Sequence, residues 1–333
     1  FKKKEKKDKK KDRKKDRKLV LIIVILVTII LAIVLGNSAY KWKILAKEMV
    51  KYENSTVLDS DGNEIAKLGC TRKNTPIKIE DVPKNLKNAY ISIEDERFYK
   101  HGGIDIKRTA GAIISYITHF GKSSYGGSTI TQQLTGDNTD TITRKVKEWW
   151  KAELLETELS KDEILEAYFN IIYVGPHMYG VEVGSQYYFS KTVSELSLEE
   201  CAFFAGMNNA PNSYNPFGEK DNSEKIKKRT KTVLKKMLDL NYIDEESYNT
   251  AVNNVDNGLQ FKKGRIETGS AVYSYHTDAL ISQVVSEISK KYNISETFAT
   301  NYINMAGLKI YSTQNSKIQK TAESEFEKSK YQI

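Results

Sequence analysis

Residues 19–35 read LVLIIVILVTIILAIVL, seventeen positions without a charge, and no other stretch limits the possible architectures as much. At about 1.5 Å of rise per residue, a helix of this length nearly matches a hydrocarbon core of about 30 Å. The charges before it set its direction. Residues 2–18 carry 11 Lys and 2 Arg against 4 acidic side chains, and so account for the whole formal charge of +9. A basic stretch ahead of an apolar span marks the cytoplasmic side. The expectation is a cytoplasmic tail at 1–18, a single transmembrane anchor at 19–36, and an extracytoplasmic chain from Asn37 onward. A cleaved signal peptide fits less well, because the run exceeds a typical signal core and residues 36–39 make a poor cleavage site. The remainder of the chain is charge-balanced, so the basic tail does not argue for a nucleic-acid-binding domain, and nucleic acid is excluded as a partner.

The two cysteines, Cys70 and Cys201, give no disulfide framework, and Cys201 in LSLEECAFFAGM reads as a buried thiol. Residues 40–50 read as a helix leading away from the anchor. TVLDSDGNEIAKL at 56–68 places two short strands around Asp61-Gly62, the pattern of a hairpin. Helices are expected at 85–98, 105–119, 127–135, 142–159, 161–172, 178–188, 197–207 and 223–240. Ser160 with Glu163 and Ser197 with Glu200 form capping boxes for two of them. NNAPNSYNP at 208–216 is a turn-rich stop. Beyond Ile243 the pattern turns mixed and polar, with a strand at 308–313 and a helix at 316–330. Residues 37–75 thus form a juxtamembrane helix and hairpin, 76–245 the principal domain, and 246–333 a mixed α/β linker toward a further domain. Residues 104–120 are rich in apolar side chains and suit either the core or a helix dipping into the outer leaflet.

Four stretches offer chemistry. In AYISIEDERFYKHGGID (89–105), Glu94, Asp95 and Glu96 end an apolar helix beside the Gly102-Gly103 break. That setting suits an acid or base, although such clusters also occur on solvated helix faces. In YGGSTITQQ (125–133), Ser128, Thr129, Thr131, Gln132 and Gln133 supply uncharged hydrogen-bonding groups suited to sugars or phosphate oxygens. In RKVKEWWKAELLE (144–156), Arg144 and Glu148 share a helix face, as do Lys147 and Lys151. This is either a surface ion pair contributing at most about 1 kcal/mol or a cationic clamp for phosphate. In KDEILEAYFNIIYVG (161–175), all but Glu166 and Asn170 read as core. The four histidines lack metal-ligand spacing, so no metal site is expected from the protein's own side chains.

Five stretches, in order, resemble glycosyltransferase family 51, the peptidoglycan glycosyltransferases. E-D-x-x-F-x-x-H-x-G matches at Glu94, Asp95, Phe98, His101 and Gly103, and G-G-S-T-I-T-Q-Q at 126–133. R-K-x-x-E matches at Arg144, Lys145 and Glu148, and I-L-E-x-Y-x-N at Ile164, Leu165, Glu166, Tyr168 and Asn170. A-G-x-x-x-x-P-x-x-Y-N-P matches at Ala205, Gly206, Pro211 and 214–216. With its tail and anchor, the chain looks like a class A penicillin-binding protein cut before its transpeptidase domain. The resemblance implies a mainly α, lysozyme-like domain that polymerises lipid II at the outer face of the bacterial membrane, with inversion at the donor anomeric carbon. It implies Glu94 as general base and Glu148 as second catalytic carboxylate. Substrate contacts would come from Asp95, Phe98, His101, Ser128, Thr129, Gln132, Gln133, Arg144, Lys145, Lys151, Glu166 and Asn170. It further implies Mg2+ or Mn2+ on the lipid pyrophosphate, no organic cofactor, and lipid II, the growing glycan strand, the membrane and cell-wall synthesis proteins as partners.

One departure stands out. The family continues Q-Q-x-x-K-N, whereas this chain reads QQLTGDN, with Gly136 and Asp137 in place of the phosphate-binding lysine and its neighbour. Loss of a cation beside a pyrophosphate leaving group weakens transition-state stabilisation unless Lys145, Lys147 or Lys151 substitutes. The alternative reading is therefore a catalytically weak scaffold that binds lipid II. A lytic enzyme of lysozyme type is a third reading, and the anchor argues against it.

Overall fold

The computed structural model describes residues 24–30, 32–33, 36–37, 39–40, 42–43, 55–68, 76–118, 127–135, 142–175, 178–264, 274–292, 294 and 296–326. The chain forms two compact units, Phe1–Leu45 and Ala46–Ile333. In the first, every described residue is helical, and Val24, Ile25, Leu26, Val27, Ile29, Ile30 and Ile33 leave their apolar side chains about half exposed or more. Among the described residues no helix is long and apolar enough to cross a membrane. Residues 19–23, 31 and 34–35 of the expected anchor lie outside the described residues, as do the tail at 1–18 and most of 40–50.

The second unit is mainly helical. Its described helices are α1 (Lys84–Glu94), α2 (Ile106–Thr118), α3 (Ile130–Thr135), α4 (Ile142–Glu158), α5 (Lys161–Ile171), α6 (Val181–Phe189), α7 (Leu198–Met207), α8 (Ser223–Asp239), α9 (Glu245–Asn257), α10 (Tyr275–Tyr292), α11 (Glu296–Met305) and α12 (Ser316–Phe326). The core gathers around α7. Cys201, Ala202, Phe203, Phe204, Ala205, Gly206 and Met207 are all buried, and a helix apolar on every side must lie inside the protein. Each phenylalanine removed from water stabilises by roughly 1.5–3 kcal/mol. α7 packs against α1 and α8. α1 turns Leu86, Ala89 and Tyr90 inward, while α8 turns Ile226, Thr230, Val233 and Met237 inward and leaves most of its lysines outside. Both expected capping boxes are present, at Ser160 and Ser197. Cys201 is a buried free thiol, and its burial pushes the thiol well above the usual range.

The helices expected at 85–98 and 127–135 are shorter, Lys84–Glu94 and Ile130–Thr135, and two further regions differ more. The helix expected at 178–188 begins only at Val181, after a β-hairpin of β3 (Tyr173–Gly175) and β4 (Met178–Tyr179). Gly180 has φ +86°, and a Cβ there would lie 2.9 Å from the Asn170 carbonyl oxygen, so the chain turns sharply before the helix starts. The stretch after Ile243 holds three helices that its polar composition concealed, α9, α10 and α11. α9 buries Ala251 and Val255, and beyond it Phe261 stacks on Phe189 while the Lys262 N–H donates to the Tyr188 carbonyl.

The hairpin at 56–68 forms as expected, with β1 (Thr56–Leu58) antiparallel to β2 (Glu64–Lys67). It also gains a partner from the far end of the chain, β5 (Lys309–Tyr311), which runs parallel to β1. Asp59 ties this junction. Its Oδ1 accepts from the backbone N–H groups of Asp61 and Asn63 at 2.9 and 2.8 Å, and its Oδ2 from the Ser316 hydroxyl at 2.6 Å. The Ser316 hydroxyl, then the Asn63 N–H, lower the Asp59 carboxyl to about 2. Its contribution is therefore full above an unfolded value of about 3.9 and disappears as the pH falls through about 2. Hydrogen exchange is expected to show the Asn63 and Ser312 amides losing protection in Asp59→Ala at neutral pH while α7 keeps its own. Unchanged protection at Ser312 would mean that the sheet does not depend on this carboxylate.

Candidate active site

The last turn of α1 delivers two neighbouring carboxylates to different tasks. Asp95 leaves the helix with φ −156° and ψ 70° and is fully buried. Its oxygens lie 3.0 Å from His101 Nε2, and Oδ2 accepts from the Ile130 N–H at 3.1 Å, which secures the start of α3. Glu94 is only half-buried. Its Oε2 accepts from Gln133 Nε2 at 2.9 Å and its Oε1 from Asn208 Nδ2 at 3.1 Å. The Tyr168 hydroxyl completes a ring, donating to Gln133 Oε1 at 3.0 Å and accepting from Asn208 Nδ2 at 2.9 Å. Burial, then the Glu94 charge, push that hydroxyl well above its usual value, so it remains a neutral donor. An Arg108 guanidinium N–H caps the Glu94 carbonyl.

A second cluster sits on α4 and the segment entering α3. Lys145 Nζ donates to Ser128 Oγ at 2.8 Å and to Glu148 Oε1 at 2.5 Å. Glu148 and Lys151 are buried at 4% and 8% exposure. Residues this polar stay buried only when their charges are answered nearby. Helices α3 and α4 pack together, which keeps the Gln133 and Lys145 clusters in one region. Arg144 belongs to α4 by its backbone, while its side chain lies outside the described residues, as do Gly136 and Asp137.

The segment between the clusters is fixed from within. Thr129 and Gln132 make a reciprocal capping box, with the Thr129 N–H donating to Gln132 Oε1 at 2.8 Å and the Gln132 N–H to Thr129 Oγ1 at 3.1 Å. Thr129 Oγ1 also donates to the Gly103 carbonyl at 2.6 Å. Gly103 has φ +90°, and a Cβ there would lie 2.6 Å from the Ala152 backbone carbon, so only glycine lets this loop rest on α4.

Several residues expected to touch substrate have their side chains committed to the protein interior. Phe98 is fully buried, edge-on to Tyr99 and His101, with the Lys161 ammonium 4.3 Å from its ring centre. His101 and Asp95 hold one another. Thr129 and Gln132 hold the α3 start. Glu166 Oε2 accepts from the Ile79 N–H at 2.8 Å, and Asn170 exchanges hydrogen bonds with the Ile77 backbone, accepting at 2.9 Å and donating at 3.0 Å. Glu166 and Asn170, one helical turn apart on α5, thus clasp the 77–79 segment. The residues brought together around accessible carboxylate and ammonium groups are Glu94 with Gln133, and Ser128 with Lys145 and Glu148. Two ring members were not expected. Tyr168 stood in a matched motif without a role, and Asn208 stood in a turn-rich stop, where no spacing rule connects it to Glu94.

Asn170→Ala is expected to remove three buried hydrogen bonds, two to the Ile77 backbone and one to the Glu166 carbonyl, cost about 1–3 kcal/mol and lower the thermal midpoint by several degrees. A variant with an unchanged midpoint and weakened substrate binding would contradict the clasp.

The chain matches the transglycosylase family over residues 61–238. It is 41% identical over 277 residues to penicillin-binding protein 1A of Clostridium botulinum, covering 80% of this chain and 34% of that protein. It is 37% identical over 273 residues to penicillin-binding protein 1A/1B of Bacillus subtilis, covering 80% and 28%. The crystal structure of penicillin-binding protein 1A from Haemophilus influenzae aligns at 22% identity with a TM-score of 0.34, covering 82% of this chain and 28% of that one. The chain spans about a third or less of the length of these relatives.

Proposed function

The chain belongs to the transglycosylase family, and from that premise we propose that it polymerises lipid II into glycan strands for the bacterial cell wall. The observation that carries this reading is the Glu94 carboxylate held by two neutral amides, with an ammonium group held by Ser128 and Glu148 on the helix that packs against the one carrying Gln133. Glu94 takes the proton of the acceptor GlcNAc 4-hydroxyl as that oxygen attacks the donor MurNAc anomeric carbon. The bond from that carbon to the pyrophosphate breaks with inversion, and undecaprenyl pyrophosphate leaves. Lys145, with Arg144 next to it in sequence, stabilises the negative charge that develops on the leaving group. Glu148 assists on the donor side and fixes Lys145 at 2.5 Å. Gln133 and Ser128 line the site, while Thr129, Gln132, Asp95 and His101 shape it from behind.

Among the described residues no group of three or more His, Cys, Asp or Glu side chains could hold a metal ion. Mg2+ or Mn2+, as the resemblance implies, would travel on the pyrophosphate of the substrate. In the same reading residues 19–36 anchor the chain with its tail in the cytoplasm, 76–245 form the catalytic domain outside, and 246–333 lead toward a transpeptidase domain and other cell-wall synthesis proteins. The exposed apolar side chains at 24–33 support the anchor.

The test is lipid II polymerisation by the detergent-solubilised chain, read as glycan length on a gel. Glu94→Gln is expected to lose at least about 100-fold in rate while retaining fold and lipid II binding. Normal polymerisation by Glu94→Gln would refute the assignment. Binding by the wild type with no product would instead favour the scaffold reading.

A further inference from the structure

Asn208 closes α7, and its amide reaches across 114 residues of sequence to Glu94. One Nδ2 proton goes to Glu94 Oε1 at 3.1 Å and the other to the Tyr168 hydroxyl oxygen at 2.9 Å. That hydroxyl has a single proton to give, and gives it to Gln133 Oε1 at 3.0 Å. With its oxygen engaged, the Gln133 amide presents Nε2 to Glu94 Oε2 at 2.9 Å. Each donor therefore has a defined acceptor, and the ring runs in one direction from Asn208 to both carboxylate oxygens.

Three physical features suit Asn208 to orienting a base. It is neutral, so it fixes the carboxylate without the ion pair that would weaken its basicity. It stands at the end of a helix buried on every side, which packs directly on the helix that carries Glu94. It also meets Glu94 at the C-terminus of α1, where the helix dipole repels a carboxylate and a donor is needed to keep the side chain from swinging away. The other titratable groups around Glu94 are Tyr90 on the same helix, Asp95 next in sequence, Arg108 from α2 and Tyr168 from α5. None of the four donates to the Glu94 carboxylate oxygens among the hydrogen bonds of the described residues.

We propose that Asn208 is the positioning residue that aims Glu94 at its substrate, directly at Oε1 and through Tyr168 and Gln133 at Oε2. The proposal rests on the reading of Glu94 as general base. Asn208→Ala releases one oxygen and leaves Tyr168 without its donor. Asn208→Asp keeps the shape and sets a carboxylate against Glu94, which moves the acidic limb of the pH–rate profile to higher pH.

The test compares wild type, Asn208→Ala, Asn208→Asp and Glu94→Gln in lipid II polymerisation, with kcat, KM, pH profile and thermal midpoint measured for each. The expected result is a fall of about 10- to 100-fold in kcat for Asn208→Ala with little change in KM or midpoint, and an upward shift of the acidic limb for Asn208→Asp. Unchanged kcat in Asn208→Ala, or an acidic limb that does not move in Asn208→Asp, would overturn the role of Asn208 while Glu94→Gln remained inactive. Full activity in Glu94→Gln would overturn the base assignment itself.

Discussion

The burial of α7 against α1 is the interaction on which the rest depends. A helix with Phe203, Phe204, Ala205 and Met207 all inside has no face to offer water, so the neighbouring helices must close around it. α1 supplies one wall with Leu86, Ala89 and Tyr90, and α8 another with Val233 and Met237. That packing determines more than stability. It brings the ends of α1 and α7 together, and those ends carry Glu94 and Asn208.

The site divides its electrostatics between two kinds of partner. Glu94 is held by two amides, which a neutral phenol links to one another, and they direct it without cancelling its charge. Lys145 is held by a buried carboxylate and a hydroxyl, which fix an ammonium where negative charge would gather on a leaving group. Holding both by hydrogen bonds serves a reaction in which one proton leaves an acceptor while one bond to phosphate breaks. Thr129, Gln132 and Gly103 contribute by holding the segment between them, with Gly103 chosen because any side chain there would meet the α4 backbone.

Much of this was legible in the sequence, for reasons that differ residue by residue. The capping boxes at Ser160 and Ser197 are local, so spacing alone revealed them. The apolar periodicity of α1 and α8, and the unbroken apolar run of α7, likewise follow from short-range pattern. α9 and α10 were obscured because few of their side chains are buried, which leaves little periodic signal. The parallel pairing of β1 with β5 and the contact between Asn208 and Glu94 join residues too far apart for any spacing rule. Motif matching singled out Phe98, Glu166 and Asn170 as residues that matter, but it could not separate a side chain that meets a ligand from one that fills the core, as Phe98 does, or clasps the backbone, as Glu166 and Asn170 do.

The most direct test of the account is a crystal structure of the chain with an unreactive lipid II analogue in the acceptor position and a pyrophosphate-bearing donor. The account predicts the acceptor 4-hydroxyl within about 3 Å of a Glu94 carboxylate oxygen and the donor pyrophosphate against Lys145. An acceptor hydroxyl far from Glu94, or a pyrophosphate bound away from Lys145, would contradict it.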